Sequence, residues 1–335
     1  MVDAFRAPLT AAAIKDKARA LGADLVGIAD GAAFDADPPP VGGSMKLADI
    51  TDHDAGRVIV LAKRYTAGTS RIVRWDDRHK YYNDELTLSL LEEASLELVY
   101  WLEDEGYPAL IVPPSHTDPW RYGERDPGQH MTTLISLPHA AVAAGLGTLG
   151  LNLQLLTPEY GPRVLLTAVL CSVDCDSDRP MAEALCLGPQ CGRCLQSCPG
   201  DVVGHWDRDW PACDRHRSPH GFADLVEHLS DIVDEADAGR QKELLRSERS
   251  FYLWQSILRG AGVVTGCRRC QDVCPVGADY AGLVDALEEI PEAGEAKTLR
   301  LAEMLKAETG GAFPDSFAAN ARWIGEPGYL DKAPG

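Results

Sequence analysis

Two hydrophobic rhythms alternate along this chain. Ala13, Ile14, Ala18 and Leu21 share one helical face; Thr10 can cap that helix, Leu9 can staple onto Ile14, and Gly22 ends it. Residues 24–29 then read as a short strand, and 58–62 form an apolar run of the length and character of a central strand. A long helix from Tyr81-Tyr82-Asn83 to about residue 105 is predicted by Leu86, Leu90, Ala94, Val99 and Leu102, with Gly106 as its stop. Residues 109–112 are the next strand. The polar segment 115–130, rich in Pro, Gly and aromatics, predicts a lid or pocket wall. Residues 139–144 form a short alanine-rich helix and 163–170 another buried strand. Further helices are expected at 223–233 and 241–258, then acidic, polar helices and an irregular tail from 281.

These elements predict an α+β protein. Residues 1–180 mix helices and strands, 181–280 carry most of the cysteines around a helical insertion at 220–262, and 281–335 make a helical or irregular tail. With 335 residues and 45% hydrophobic content, the chain can bury a sizeable core. No apolar run approaches the ~18 residues of a membrane span. Nor does the N-terminus show an export pattern or twin arginine, so a cytoplasmic protein with reduced thiols is expected. Ten cysteines in that setting argue for metal rather than disulfides. The net charge of −19 speaks against nucleic acid as a partner; it suits solubility and could help select a basic electron donor.

The cysteine spacing carries the strongest chemistry. Residues 186–199 read CLGPQCGRCLQSCP and 267–275 read CRRCQDVCP. Thiolates three residues apart can wrap one iron–sulfur cube, and the Cys of a closing Cys-Pro ligates a second one. The runs supply Cys186, Cys191, Cys194, Cys198, Cys267, Cys270 and Cys274, and Cys213 between them is the natural eighth ligand. The expected sets are Cys186, Cys191, Cys194 and Cys274 for one [4Fe–4S] cluster, and Cys198, Cys213, Cys267 and Cys270 for the other. Structural zinc would explain four cysteines but not two runs that each end in Cys-Pro. The gap from Cys186 to Cys191 departs from the usual two-residue spacing. Cys171 and Cys175 read as buried structural thiols, and Trp206, Trp210 and Trp254 as a shield against water near the clusters.

Residues 145–150 read GLGTLG, which matches the dinucleotide fingerprint in letters only. That motif needs a strand before it and a helix after it. Here an alanine-rich helix precedes, and Pro158, Gly161 and Pro162 break any helix that follows. Three glycines in six residues still imply close backbone approach, to another helix or to a flat ligand.

Taken together, residues 139–152, residues 156–163 and the CxxCxxxCP run resemble the epoxyqueuosine reductase and reductive dehalogenase superfamily, over roughly residues 10–280. The resemblance implies a nitroreductase-like domain holding base-off cobalamin, followed by a ferredoxin-like domain with two [4Fe–4S] clusters. It implies corrin binding by Gly145, Gly147, Gly150 and Asn152, with Arg163 a candidate for a cofactor carboxamide or phosphate or for a surface salt bridge. Electrons from a ferredoxin or flavodoxin would cross the clusters to Co(I) cobalamin, which cleaves a carbon–heteroatom bond in a small organic substrate. Epoxyqueuosine reductases carry an acid 14 positions before Gly145, where this chain has Met131, a residue that cannot donate a proton. The dehalogenase branch implies a tyrosine donor, Tyr81 or Tyr82, with His139 as a cationic assistant lowering its pKa. The alternatives are epoxyqueuosine reduction in tRNA, a two-cluster electron carrier or corrinoid-protein reactivator without its own corrin, and a flavin in the same pocket.

Overall fold

The computed structural model describes residues 8–41, 44–72, 77–112, 134–217, 220–259, 267–283, 290 and 292–328, with the backbone alone for 77–79, 81, 214, 222–223 and 258–259. The helices are α1 (Ala11–Ala20), α2 (Gly31–Ala36), α3 (Ala67–Ser70), α4 (Asp77–Asp104), α5 (Leu137–Ala143), α6 (Arg193–Gln196), α7 (Trp210–Arg217), α8 (Phe222–Asp234), α9 (Ala238–Leu245), α10 (Glu248–Arg259), α11 (Arg269–Asp272), α12 (Glu295–Thr309) and α13 (Asp315–Ile324). The strands are β1 (Leu25–Asp30), β2 (Arg57–Arg64), β3 (Ala109–Val112), β4 (Thr148–Leu149), β5 (Leu155–Leu156) and β6 (Val164–Cys171).

Four strands form an antiparallel sheet in the order β1-β2-β6-β3, with Val60 opposite Ala168 at its centre. Successive side chains of a strand point to opposite faces, and both faces here are apolar. Ile28, Ile59, Leu61, Val169 and Cys171 meet α1 and α4 through Ile14, Ala18, Leu91, Leu98 and Leu102. Ser95 of α4 and Thr167 of β6 join their hydroxyls across that layer at 2.6 Å. The alternate residues Ala29, Val58, Val60, Ala62, Ala168 and Leu170 belong to the second core, with α5 and the β4–β5 hairpin.

That second core does not end at residue 180. Leu195, Cys198, Val202, Trp206 and Cys213 belong to it, as do Leu301, Trp323 and Ile324 from the last two helices. The C-terminal segment expected to trail away therefore packs into the interior, because Trp323 and Ile324 are covered there. The single helix expected at 241–258 is two, α9 and α10. On α4 the expected stripe is partly reversed: Leu86 and Leu90 are exposed, and Leu88, Leu91 and Leu98 are buried instead.

Candidate metal centre

Short, tightly turned elements set out the cysteines. Cys186 precedes the turn Gly188–Gln190, and Gly192, with φ +56, starts the one-turn helix α6 that carries Cys194. Cys198 follows α6, Cys213 lies on α7, Cys267 precedes α11, Cys270 lies on it and Cys274 follows. A positive φ suits glycine because a Cβ would crowd the backbone.

The two distant runs meet. Cys194 interacts electrostatically with Cys186, Cys274, Cys270 and Cys191, and Cys274 with Cys186 and Cys191. Cys270 interacts with Cys213 and Cys198 as well as with Cys194. The first run thus lies close to the second, with Cys274 near Cys186, Cys191 and Cys194 and with Cys270 near Cys198 and Cys213. Cys267, partly exposed, stands three residues before Cys270. All ten cysteines are free thiols. Among the described residues no three His, Cys, Asp or Glu close round a single metal ion.

The sulfurs also receive hydrogen bonds. The amides of Leu151 and Gly188 each donate to Cys186 Sγ at 3.3 Å, and that of Val202 donates to Cys198 Sγ at 3.4 Å. Arg208 Nη2 donates to Cys213 Sγ at 2.8 Å. Such bonds stabilise thiolate rather than thiol. Burial opposes them, pushing Cys186 up to about 11 and Cys274 up to about 12. Bare, these groups hold their protons at neutral pH; a bound metal displaces them. Two donors of Arg208, Nε and Nη1, are buried without a partner beside Cys198, Cys213 and Cys270. Clustered buried sulfurs, amides aimed at them and an orphaned cation fit iron–sulfur clusters.

The glycine motif is occupied by the chain itself. A Cβ on Gly147 would strike the carbonyl of Leu156 across the hairpin, and one on Gly145, where φ is +73, would come within 2.7 Å of Arg179 O. Asn152 is buried and hydrogen-bonds Cys270, favouring its thiolate. Arg163 is neither a cofactor contact nor a surface salt bridge. It is buried, and its donors go to Asp279 (2.8 and 2.6 Å), Gln271 O, Cys274 O and Val276 O. Because these side chains and backbone approaches are committed internally, they do not fit a corrin, and no step is derived through one.

Of the proton-donor candidates, His139 and Tyr82 lie on elements that pack on opposite faces of the sheet. His139 is buried on α5, between Ser136 (2.6 Å) and Asn320 (3.1 Å), with Trp323 edge-on at 5.0 Å. Asn320 Nδ2 donates to Ser316 O, so its Oδ1 accepts from His139 Nε2, and Nδ1 accepts from Ser136. Burial lowers the imidazole to about 4; it is neutral and cannot serve as the expected cation. Tyr82 is about half exposed on α4, which packs on the other face of the sheet. The side chain of Tyr81, the segment 115–130 and Met131 lie outside the described residues. Trp206 is fully buried and Trp210 stacks under Arg208, whereas Trp254 is half exposed on α10 beside Phe251. Cys171 and Cys175 are buried against the α4 face, away from the other eight.

A buried ionic network had no sequence signal. Arg268, between Cys267 and Cys270, binds Asp84 (2.5 Å) and Thr69 (2.8 Å) and lies over the Tyr65 ring at 4.0 Å. Lys80 binds Asp272 at 2.9 Å. Burial pushes Asp84 up to about 7, more strongly than Arg268 pulls it down.

No protein-family model matches the chain. It is 28% identical over 292 residues to an epoxyqueuosine reductase of Gloeobacter violaceus, covering 79% of this chain and 76% of that one. It is 28% identical over 158 residues to one from Listeria monocytogenes, spanning 45% of this chain but only 34% of that relative. Among solved structures, a catabolic reductive dehalogenase aligns with TM-score 0.48 and 16% identity, over 93% of this chain and 38% of its own. An epoxyqueuosine reductase from Streptococcus thermophilus aligns with TM-score 0.45 and 14% identity, over 91% and 82%. The chain is thus similar to epoxyqueuosine reductases at 26–28% identity, one branch of the likeness that its motifs implied.

Proposed function

We propose that this chain is a two-cluster iron–sulfur reductase. One observation supports the reading: cysteines from two runs about 80 residues apart lie close together, Cys274 beside Cys186, Cys191 and Cys194, and Cys270 beside Cys198 and Cys213. Clusters bound there would relay single electrons inward from a low-potential donor. The protein's own part is to bury the sulfurs and aim amides and Arg208 at them. Arg163 and the Lys80–Asp272 and Arg268–Asp84 pairs pin the second run against the sheet domain.

For the substrate, the curated relatives favour an epoxyqueuosine nucleotide in tRNA. Met131 at the acid's position and the charge of −19 favour a second reading, reductive cleavage in a small organic substrate.

The test is anaerobic reconstitution with iron, sulfide and hydroxocobalamin, followed by metal analysis and turnover assays. About eight irons per chain with reduction of an epoxyqueuosine-containing stem-loop supports the first reading. Eight irons with turnover of an organohalide alone supports the second. Four irons or fewer in a fully loaded sample overturns the two-cluster reading.

A further inference from the structure

Arg208 is a permanent cation that donates directly to the sulfur of a candidate ligand, Cys213. Its position comes from a tight reversal. Val203 and Arg208 form an antiparallel bridge, Gly204 N bonds Asp207 O at 2.9 Å, and Trp206 holds φ at +53. The same reversal sends the amide of Val202 to Cys198. The guanidinium lies over the Trp210 ring at 4.4 Å, is only 8% exposed, and interacts electrostatically with Cys270, Cys213 and Cys198.

Burying a guanidinium with two unsatisfied donors is costly unless something negative accepts them. Thiol groups alone do not provide that. Among the described residues no carboxylate hydrogen-bonds the Arg208 guanidinium; Asp207 accepts from the Arg208 backbone amide. Sulfides of a cluster held by Cys198, Cys213, Cys267 and Cys270 would be acceptors in the right place.

We propose that Arg208 sets the electron affinity of that second site, raising the reduction potential of the cluster it holds. The inference rests on the two-cluster reading. A cluster carries one more negative charge reduced than oxidised, so a fixed cation in a dry site favours the reduced form. Hydrogen bonds to sulfur act in the same direction. Only one electron moves, supplied in the test by dithionite through mediators. Arg208 is a positioning charge and touches no substrate.

The experiment is an EPR-monitored redox titration of the reconstituted wild type, Arg208→Gln and Arg208→Lys. With about eight irons retained, the Gln variant is expected to lower one of two midpoints by at least about 59 mV, a tenfold change in a one-electron equilibrium. The other midpoint stays, and Lys moves the shifted one back toward wild type. Unchanged midpoints, or an equal fall in both, overturn the proposal. Should Arg208→Gln lose its iron, retention by Arg208→Lys supports a charge requirement and loss from both overturns it. A wild type that loads four irons or fewer instead sinks the two-cluster reading beneath it.

Discussion

At the scale of single residues, Arg163 shows how little a side chain's type says about its work. Its five N–H donors are all taken by Asp279 and three carbonyls of the second cysteine run. Arg163→Met would leave Asp279 and those carbonyls unmatched, and breaking a buried pair costs about 3–5 kcal/mol. The expected outcome is a lower thermal midpoint together with loss of iron from the reconstituted protein; unchanged iron content would mean the clamp is dispensable. The cysteine runs stood out in advance because metal ligation, the role proposed for them, would impose spacing on the sequence itself. Arg163, Arg208 and Asn152 did not, because their partners are backbone carbonyls or sulfurs far along the chain, and such contacts leave no periodic trace. His139 misled for a related reason: its place near a helix start suggested a cation, whereas burial makes it neutral.

At the scale of elements, strands and helix starts were well marked. Both sheet faces are covered, so the strands are continuous apolar runs with clear ends. Helix α4 was legible in extent and misread in facing. It carries two leucine rows, and sequence alone cannot say which row meets the sheet. Leu91→Ala should cost about 2–5 kcal/mol, whereas Leu86→Gln and Leu90→Gln should each stay within about 0.5 kcal/mol. Urea unfolding of the three variants checks the facing. The link between α5 and α13 makes a further prediction. His139 takes a proton near 6.5 when unfolded but only near 4 when folded. In that window the unfolded state binds more protons, so stability rises with pH. Its contribution is complete above about pH 6.5 and is lost as pH falls toward 4, to a limit of about 3 kcal/mol. Thermal midpoints of wild type fall across this range, and His139→Gln flattens the fall.

At the scale of the whole molecule, the expected boundary near residue 180 marks a change of chemistry rather than an independent folding unit. Leu195, Trp206, Trp323 and Ile324 complete the core on the α5 face of the sheet. Residues 1–180 expressed alone should therefore lack a cooperative thermal transition by circular dichroism; a sharp two-state melt would refute this. The same sharing has a consequence for synthesis. Cys194 finds one of its neighbours in Cys274, so neither thiol group can close on a nascent chain until the second run has left the ribosome. If the proposed clusters are bound, their insertion would wait until the second run is made, and truncated products would present half-sites that load poorly.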